Sequence, residues 1–240
     1  MVADVDPRLV HAWLAGRSVA RGLPAPVSEH GGFRVDVGSE AEVVRWVFPC
    51  VTPALAELAR TIDRPGHLLK LCGPAEVLLA ALPVGWAVQA PGFFMRATSA
   101  PADRALADGY RLHVDRSASV VRAAIHAADG ALAASGYAAR AGEALIFDRI
   151  VTDPAHQRRG LGRAVMAALH AEGRPSGPEL LVATEEGRAL YEAMGWETLS
   201  PFSTAGIDPS RSGERPPPLQ EPGRHAPRSA PRLPPPGSLL

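Results

Sequence analysis

The order of strand and helix patterns between residues 110 and 199 constrains the fold of this chain more than any other feature. Four segments in a row have the apolar or alternating character of β-strands: Tyr110–Asp115, Ser119–His126, Ala131–Ala139 and Glu143–Val151. Asp129-Gly130, between the second and third, can adopt the positive φ values that a tight hairpin turn requires. The short connections predict an antiparallel meander.

Helices and strands alternate after this meander. The pattern predicts a helix over Gly160–Ala171, a short buried strand over Leu180–Ala183, a second helix over Glu185–Met194 and a last strand that begins at Trp196. A meander followed by helix, strand, helix and strand favours an α+β fold. We expect a central mixed sheet, mostly antiparallel, that is flanked by helices.

The first hundred residues predict an additional N-terminal half that also mixes helices and strands. Helical periods run through Leu9–Val19 and Leu55–Ile62, and Val43–Phe48 is apolar enough to be either a strand or a helix. The other predicted elements are strands at Phe33–Val37, His67–Cys72, Gly85–Gln89 and Phe93–Ala97, and a short helix at Ala75–Leu82. We therefore expect an N-terminal α/β region at residues 1–105 and a second domain at 106–205.

The remaining residues, 206–240, are predicted to be a disordered tail rich in proline and arginine. The chain has 24 prolines, and Pro216–Pro218 and Pro234–Pro236 frame a segment of Gly, Ser and Arg. Proline lacks an amide donor and has a fixed φ, so helices and sheets do not run through such a segment. The tail is either a solvated appendage or a site for a partner domain or nucleic acid.

Composition excludes several classes of function. The formal net charge is zero, which gives no general attraction to nucleic acid or to anionic membranes. The two cysteines, Cys50 and Cys72, have neither CxxC nor Cys/His spacing, so we expect no metal site. The start of the chain lacks the basic and apolar order of a secretory signal, and no apolar run is long enough to span a bilayer. These features predict a soluble, cytoplasmic protein.

The segment from Thr152 to Arg163 has the residues of a phosphate-binding loop. A predicted strand ends there and a helix begins, and the first turn of a helix exposes unpaired amide donors with a partial positive charge. Gly160 and Gly162 leave room for a diphosphate to approach the backbone. Arg158, Arg159 and Arg163 add positive charge beside it. Two glycines alone would also fit an ordinary connection between a strand and a helix.

Two motifs in this half resemble those of the GCN5-related N-acetyltransferase (GNAT) superfamily. Gln157, Gly160 and Gly162 fill the Gln/Arg-x-x-Gly-x-Gly/Ala pattern of that superfamily's acetyl-CoA loop. About thirty residues later, the segment 187–196 resembles its second signature, a helix with Ala-x-x-x-Tyr-x-x-x-Gly-Phe. The order and spacing of both motifs make the resemblance specific over residues 110–200.

The resemblance implies an N-acetyltransferase that binds acetyl-CoA, needs no metal, and moves the acetyl group directly to a primary amine. The acceptor would be a small molecule or a protein amine. We expect no membrane or nucleic-acid partner, and a homodimer is an open alternative. The implied cofactor-binding residues are Ile150, Val151, Thr152, Gln157, Arg158, Arg159, Gly160, Leu161, Gly162, Arg163 and Thr184. The end of the strand, Ile150–Thr152, would direct a backbone amide at the acetyl carbonyl.

The resemblance also implies two catalytic side chains. Tyr191 matches the general acid that protonates the departing thiolate, and its alternative role is to pack against Trp196. Asp148 is the preferred candidate for the general base and Glu143 a second one. The alternatives are an ion pair of Asp148 with Arg149 or a neighbouring arginine, and a relay of water molecules as the base.

This sequence departs from the superfamily pattern in three places. Thr184 and Gly187 stand where Asn and Ala are common. Only Arg116-Ser117-Ala118 separates two strands between which the superfamily has two helices that often form the acceptor pocket. Either residues 1–100 replace them, or that half is a degenerate copy of the fold, without a CoA loop. A non-catalytic sensor or scaffold that binds acetyl-CoA is the alternative function.

Overall fold

The computed structural model describes residues 4–102 and 105–207 of the chain. In these two ranges the chain forms five α-helices and twelve strands. None of these helices combines the length with the apolar character that a bilayer crossing requires. Residues 208–240, which hold nearly all of the predicted tail, lie outside the described residues. Gly206 and Ile207, which we assigned to the tail, belong to the last strand instead.

The first half of the chain begins with a helix, α1 (Pro7–Arg21), whose ends are set by local sequence. The Asp6 carboxylate caps its first turn, Pro7 occupies the first helical position, and Gly22 closes it with a left-handed φ of 64°. The elements that follow are β1 (Val27–Glu29), β2 (Gly32–Asp36), β3 (Val44–Phe48), α2 (Pro53–Thr61), β4 (His67–Cys72), α3 (Ala75–Ala81), β5 (Trp86–Val88) and β6 (Gly92–Ala97).

The second half contains the predicted meander and the alternating helices and strands. Its elements are β7 (Tyr110–Arg116), β8 (Val120–Ala127), β9 (Leu132–Ala141), β10 (Ala144–Thr152), α4 (Leu161–Gly173), β11 (Glu179–Thr184), α5 (Glu185–Glu192) and β12 (Trp196–Ile207). A short 3-10 turn, Pro154–His156, lies between β10 and α4. The expected mixed and mostly antiparallel sheet flanked by helices is confirmed.

One sheet joins the two halves in the order β1-β2-β3-β4-β12-β6-β11-β10-β9-β8-β7, and β5 pairs with the end of β12. The last strand of each half lies inside the other half, because β12 pairs with β4 and β6 pairs with β11. β6 and β12 also pair with each other at the centre. The boundary predicted between residues 105 and 106 stays a prediction. Strands from the two sides of this boundary are hydrogen-bonded to each other in one sheet.

The two halves repeat one topology. In each, two antiparallel strands lead into a strand, a helix and a parallel strand, which is β3-α2-β4 in the first half and β10-α4-β11 in the second. A second helix and a last strand follow in both halves. This repetition supports the prediction that the first half is a degenerate copy of the second.

The helices cover the sheet unequally. On one face, α4 and α5 pack over the second half, while α2 and α3 pack over the first. On the other face, α1 places Trp13 and Leu14 against Phe94, Ile146 and the strands around them. α1 therefore crosses from the first half of the sequence onto β9 and β10 of the second.

Candidate functional site

A cleft opens between β10 and β11. These parallel strands are paired only at Leu145 with Glu179 and at Ile146 with Leu180, and beyond Ile146 they separate. The cleft that results encloses about 230 Å³. Its walls come from α1, from both strands and from α5: Arg17, Arg21, Phe147, Asp148, Arg149, Ile150, Leu181, Val182, Ala183, Thr184, Gly187 and Tyr191.

A β-bulge in β10 shapes this cleft. The register of β10 on β9 shifts between Asp148 and Val151, and Arg149 has a left-handed φ of 54°. Bulges redirect the backbone and the side chains of a strand next to a site. Here the backbone of Ile150, Val151 and Thr152 leaves the line of β11, so this edge of β10 is open to a ligand's backbone-like amides. The binding of a cofactor along these three residues stays a prediction.

The phosphate loop leads from the end of β10 into α4. Gly160 is the residue before the helix, with a left-handed φ of 77°, and no side chain of the described residues caps this helix. The first backbone hydrogen bond of α4 joins the Ala164 amide to the Gly160 carbonyl at 3.1 Å. The amides of Leu161, Gly162 and Arg163 therefore precede the first donor that the helix itself satisfies.

The loop leaves room for a ligand to approach the backbone at Gly162. A Cβ at Gly162 would lie 3.4 Å from Leu190 Cδ2 and 3.6 Å from Thr152 Oγ1, so the end of β10, the start of α4 and α5 meet there. Gln157 and Arg158 are exposed, and Arg158 has a left-handed φ of 59°. This loop fits a diphosphate, because it offers free amides, small residues and positive charge together.

The three arginines of the loop have different environments. The guanidinium of Arg159 lies 6.0 Å from the ring centre of Tyr110, whose hydroxyl is hydrogen-bonded to Nδ1 of His156 at 2.9 Å. Arg163 donates to the Ala193 carbonyl at 3.1 Å and so binds the end of α5. Arg158 and Arg159 are therefore better placed than Arg163 to neutralise a bound phosphate.

In the first half, the start of the corresponding helix, α2, is not free to bind a phosphate. At the start of α2 the Thr52 hydroxyl accepts a hydrogen bond from the Leu55 amide at 3.2 Å, and Pro53 supplies no amide donor. β3 and β4 also stay paired over five residues, from Val44–Phe48 on one side to His67–Leu71 on the other. With neither a free helix start nor a cleft, this half lacks both parts of the site.

Tyr191 lies at the α5 side of the cleft. It is buried, and its ring centre is 5.9 Å from that of Trp196. Burial raises the pKa of its phenol to about 12, so the group stays protonated at neutral pH. A Cβ at Gly187 would lie 3.2 Å from Cε2 of the Tyr191 ring, which is a tight contact. Tyr191 thus both packs and lines the cleft.

Asp148 lies at the opposite side of the cleft, under α1. Arg21 binds its carboxylate through Nε and Nη2, at 2.7 and 3.0 Å, and Arg17 Nη1 lies 3.1 Å from it. Arg149 Nε is 3.2 Å away. Burial alone would raise the pKa of Asp148, but the hydrogen bonds from Arg21 and the three positive charges lower it. These ion pairs favour a structural role for Asp148. Its role as the general base stays a prediction.

Of the remaining predicted residues, Thr184 lies in the cleft and Glu143 lies outside it. Thr184 lines the cleft, and its hydroxyl caps α5 by accepting from the Gly187 amide at 3.2 Å. Glu143 precedes β10 and lies five residues before Asp148, about 16 Å along the strand, and it does not line the cleft. Among the described residues, no group of three or more His, Cys, Asp or Glu side chains could hold a metal ion.

Sequence reasoning missed the arginines that α1 brings to the cleft. Arg17 and Arg21 are four residues apart, which puts them on one face of a helix. That spacing was a usable signal, but it does not say which carboxylate the pair would bind. Arg149 was considered only as a partner of Asp148, whereas it also donates to the Ala20 carbonyl at 2.5 Å.

Comparisons with known proteins agree with this geometry. Residues 119–198 match the family model described as the acetyltransferase (GNAT) domain. No curated protein matches the chain. Among solved structures, a GCN5-related N-acetyltransferase from Kribbella flavida superposes with a TM-score of 0.61 at 16% identity, over 85% of this chain and 95% of its own.

Two further solved structures are similar. A GNAT-family protein from Novosphingobium aromaticivorans has a TM-score of 0.53 and 18% identity, over 85% of this chain and 100% of its own. A GCN5-related N-acetyltransferase from Sphaerobacter thermophilus has a TM-score of 0.52 and 10% identity, over 75% of this chain and 78% of its own. At such identities the likeness establishes the fold. The first two similarities extend over both halves of the chain.

Proposed function

We propose that this chain, whose residues 119–198 match the acetyltransferase (GNAT) domain, transfers an acetyl group from acetyl-CoA directly to a primary amine. One observation carries the proposal: the uncapped start of α4 meets the end of β10, the strand that lines the cleft as far as Ile150, because a Cβ at Gly162 would lie 3.6 Å from Thr152 Oγ1. A diphosphate at the free amides and a pantetheine arm along β10 would use both features at once.

The chain's own groups would supply the chemistry. The amine nitrogen attacks the thioester carbonyl carbon, the C–S bond breaks, and the electron pair leaves on sulfur. A backbone amide near the bulge at Arg149 stabilises the negative charge that develops on the carbonyl oxygen. Tyr191 donates its phenolic proton to the thiolate and regains one from solvent. Its raised pKa keeps that proton in place until the thiolate forms.

The amine must lose a proton before or during attack. Asp148 lines the cleft, but a carboxylate held by three arginines with a lowered pKa is a weak base. We therefore assign Asp148 to fixing α1 against β10, and we propose water in the cleft as the route by which the amine proton leaves.

The binding step can be tested by calorimetry with CoA, comparing the unaltered chain with Gly162→Glu. Gly162 is the second residue of α4, where a carboxylate favours the helix but repels a diphosphate. We expect a loss of CoA affinity of at least about 100-fold, roughly 3 kcal/mol, with no loss of thermal stability. The unaltered chain should bind one CoA per molecule.

Ala54→Glu is the matched control, because Ala54 is the second residue of α2, the corresponding helix of the first half. It should leave CoA binding unchanged. Equal affinities of Gly162→Glu and the unaltered chain would remove the phosphate loop from the proposal. Release of free thiol from acetyl-CoA with a panel of amines then tests transfer, and tight binding without amine-dependent release would identify the sensor alternative.

A further inference from the structure

A second pocket adjoins the cleft on the side of the sheet that α1 covers. It encloses about 190 Å³ and shares Arg17, Val182, Ala183 and Thr184 with the cleft. The phosphate loop opens α4, which packs on the opposite face of the sheet. A molecule in this pocket would therefore reach the cleft from the side away from the phosphate loop.

Positive charge is in excess around this pocket. Lys70 and Arg17 line it, and further charged groups lie directly behind them. Arg45 binds Glu42, which also pairs with Lys70 at 3.4 Å, and Asp148 pairs with Arg17. In the described chain this charged group comprises five cations, of which Arg149 is exposed, and two carboxylates: Arg17, Arg21, Arg45, Lys70 and Arg149 with Glu42 and Asp148.

The two cations that line the pocket, Arg17 and Lys70, have donors left for a ligand. Arg17 Nε is buried and has no hydrogen-bond partner in the described residues. Glu42 already accepts two hydrogen bonds from Arg45, so its charge is shared between Arg45 and Lys70. Thr204 lies directly opposite Lys70 on the neighbouring strand and also lines the pocket. Buried donors without partners are costly, and an anion would satisfy them.

The rest of the pocket is lined mostly by apolar residues. Trp13, Pro91, Val182 and Phe202 form its walls. A volume of about 190 Å³ corresponds to roughly six water molecules at about 30 Å³ each. That space suits a compact molecule with a short carbon chain, and its charge pattern opposes a polycation.

We propose that this pocket binds the acceptor, and that the acceptor is a small amine carrying a carboxylate, which pairs with Lys70 and Arg17 while the amine faces the cleft. The inference rests on the proposed acetyl transfer and names its substrate class. Lys70 and Arg17 act here as specificity-determining residues, since they contact the end of the substrate that does not react.

The test uses the full chain, saturating acetyl-CoA and matched amines. Glycine, β-alanine and 4-aminobutyrate are each compared with their carboxamides and with the aminoalkyl phosphate of similar length, by thiol release. We expect the best acid to exceed its own amide at least about tenfold in kcat/KM, because a hydrogen-bonded ion pair to a buried cation is lost in the amide. Equal values for acid and amide would overturn the proposal, as would a preference for the phosphates.

Lys70→Met tests the assigned residue. It keeps the length of the side chain and leaves Glu42 paired with Arg45, and we expect the preference for acid over amide to fall at least about tenfold through a higher KM for the acid. Arg64→Met, which removes an exposed cation outside the pocket, is the matched control and should keep the preference. An unchanged preference in Lys70→Met would contradict the assignment.

The outcomes separate this inference from the function on which it rests. If acids and amides are acetylated equally, the chain is an acetyltransferase and only the carboxylate pocket is wrong. If no amine supports thiol release while CoA binds, the transfer and the pocket both fall. Should Lys70→Met fail to fold, the comparison of acids with amides on the unaltered chain still decides.

Discussion

Tyr191 and Asp148 line the same cleft, yet their surroundings shift their pKa values in opposite directions. Burial raises the pKa of Tyr191 to about 12 and keeps the phenol neutral. Asp148 is also buried, but the hydrogen bonds of Arg21 and the charges of Arg17 and Arg149 keep its carboxylate ionised. The neutral phenol can therefore give up a proton, whereas the carboxylate acts as an anchor for α1.

Tyr191→Phe tests the acid. The ring can keep its packing on Trp196, and the described residues offer the hydroxyl no hydrogen-bond partner, so folding and CoA affinity should change little. We expect kcat for thiol release to fall about 100-fold or more, the range of a lost general acid. A variant that retained full turnover would leave Tyr191 with a packing role only.

Asp148→Asn tests the anchor. Since the folded pKa of Asp148 is lowered, its carboxylate stabilises the fold above the unfolded value of about 3.9, and this contribution disappears as pH falls through the folded value. We expect the variant to lose about 3 kcal/mol of unfolding free energy at pH 7. This is the lower end of the roughly 3–5 kcal/mol that the loss of one partner of a buried ion pair costs, because Arg149 is partly exposed. Urea unfolding at pH 7 and pH 3 measures this, and a difference that did not shrink at pH 3 would contradict the ion-pair origin.

At the scale of elements, α1 forms one wall of the cleft, on the side of the proposed acceptor pocket. It belongs to the first half in sequence but packs on β9 and β10 of the second. Gly16 permits this contact, because a Cβ there would lie 2.2 Å from Ile146 Cγ1 and 2.7 Å from Ile146 Cβ. The close approach brings Arg17 and Arg21 onto Asp148. The helix thus covers the face of the sheet on which the proposed acceptor pocket lies.

Gly16→Ala tests this packing. Alanine favours an isolated helix by up to about 1 kcal/mol, but the overlap with the branched Ile146 side chain forces α1 outward and costs about 1–3 kcal/mol. We expect lower thermal stability and a higher KM for the amine, with the CoA affinity kept. Val19→Ala, at an exposed position of the same helix, should change neither. Increased stability of Gly16→Ala would show that α1 does not pack this closely.

At the scale of the whole molecule, two halves of one topology share a single site. The exchange of β6 and β12 places each half's last strand inside the other half, so the central sheet requires both. Of the two corresponding helices in the described residues, α4 starts without a side-chain cap beside a separated strand pair, while Thr52 caps α2 beside the full pairing of β3 with β4. The expectation of one CoA per chain follows from this asymmetry.

The sequence alone determined what depends on a few neighbouring residues. Asp6 and Gly22 set the two ends of α1, and Gln157, Gly160 and Gly162 mark the loop before α4. These features are local, because caps, turns and free helix amides form within one or two turns of the chain. The meander and its alternation with helices were likewise predictable from periodicity. Val43–Phe48 was ambiguous, since all five residues of β3 are buried and give no period.

The tertiary structure decided everything that depends on contacts distant in sequence. Arg21 and Asp148 are separated by 127 residues, so no local pattern could assign the carboxylate to an ion pair. The exchange of the last strands joins the two halves, and the cations around Lys70 come together from α1, β3 and β4, which are far apart in the sequence. Periodicity shows which face of an element is buried, but it does not show which element covers that face.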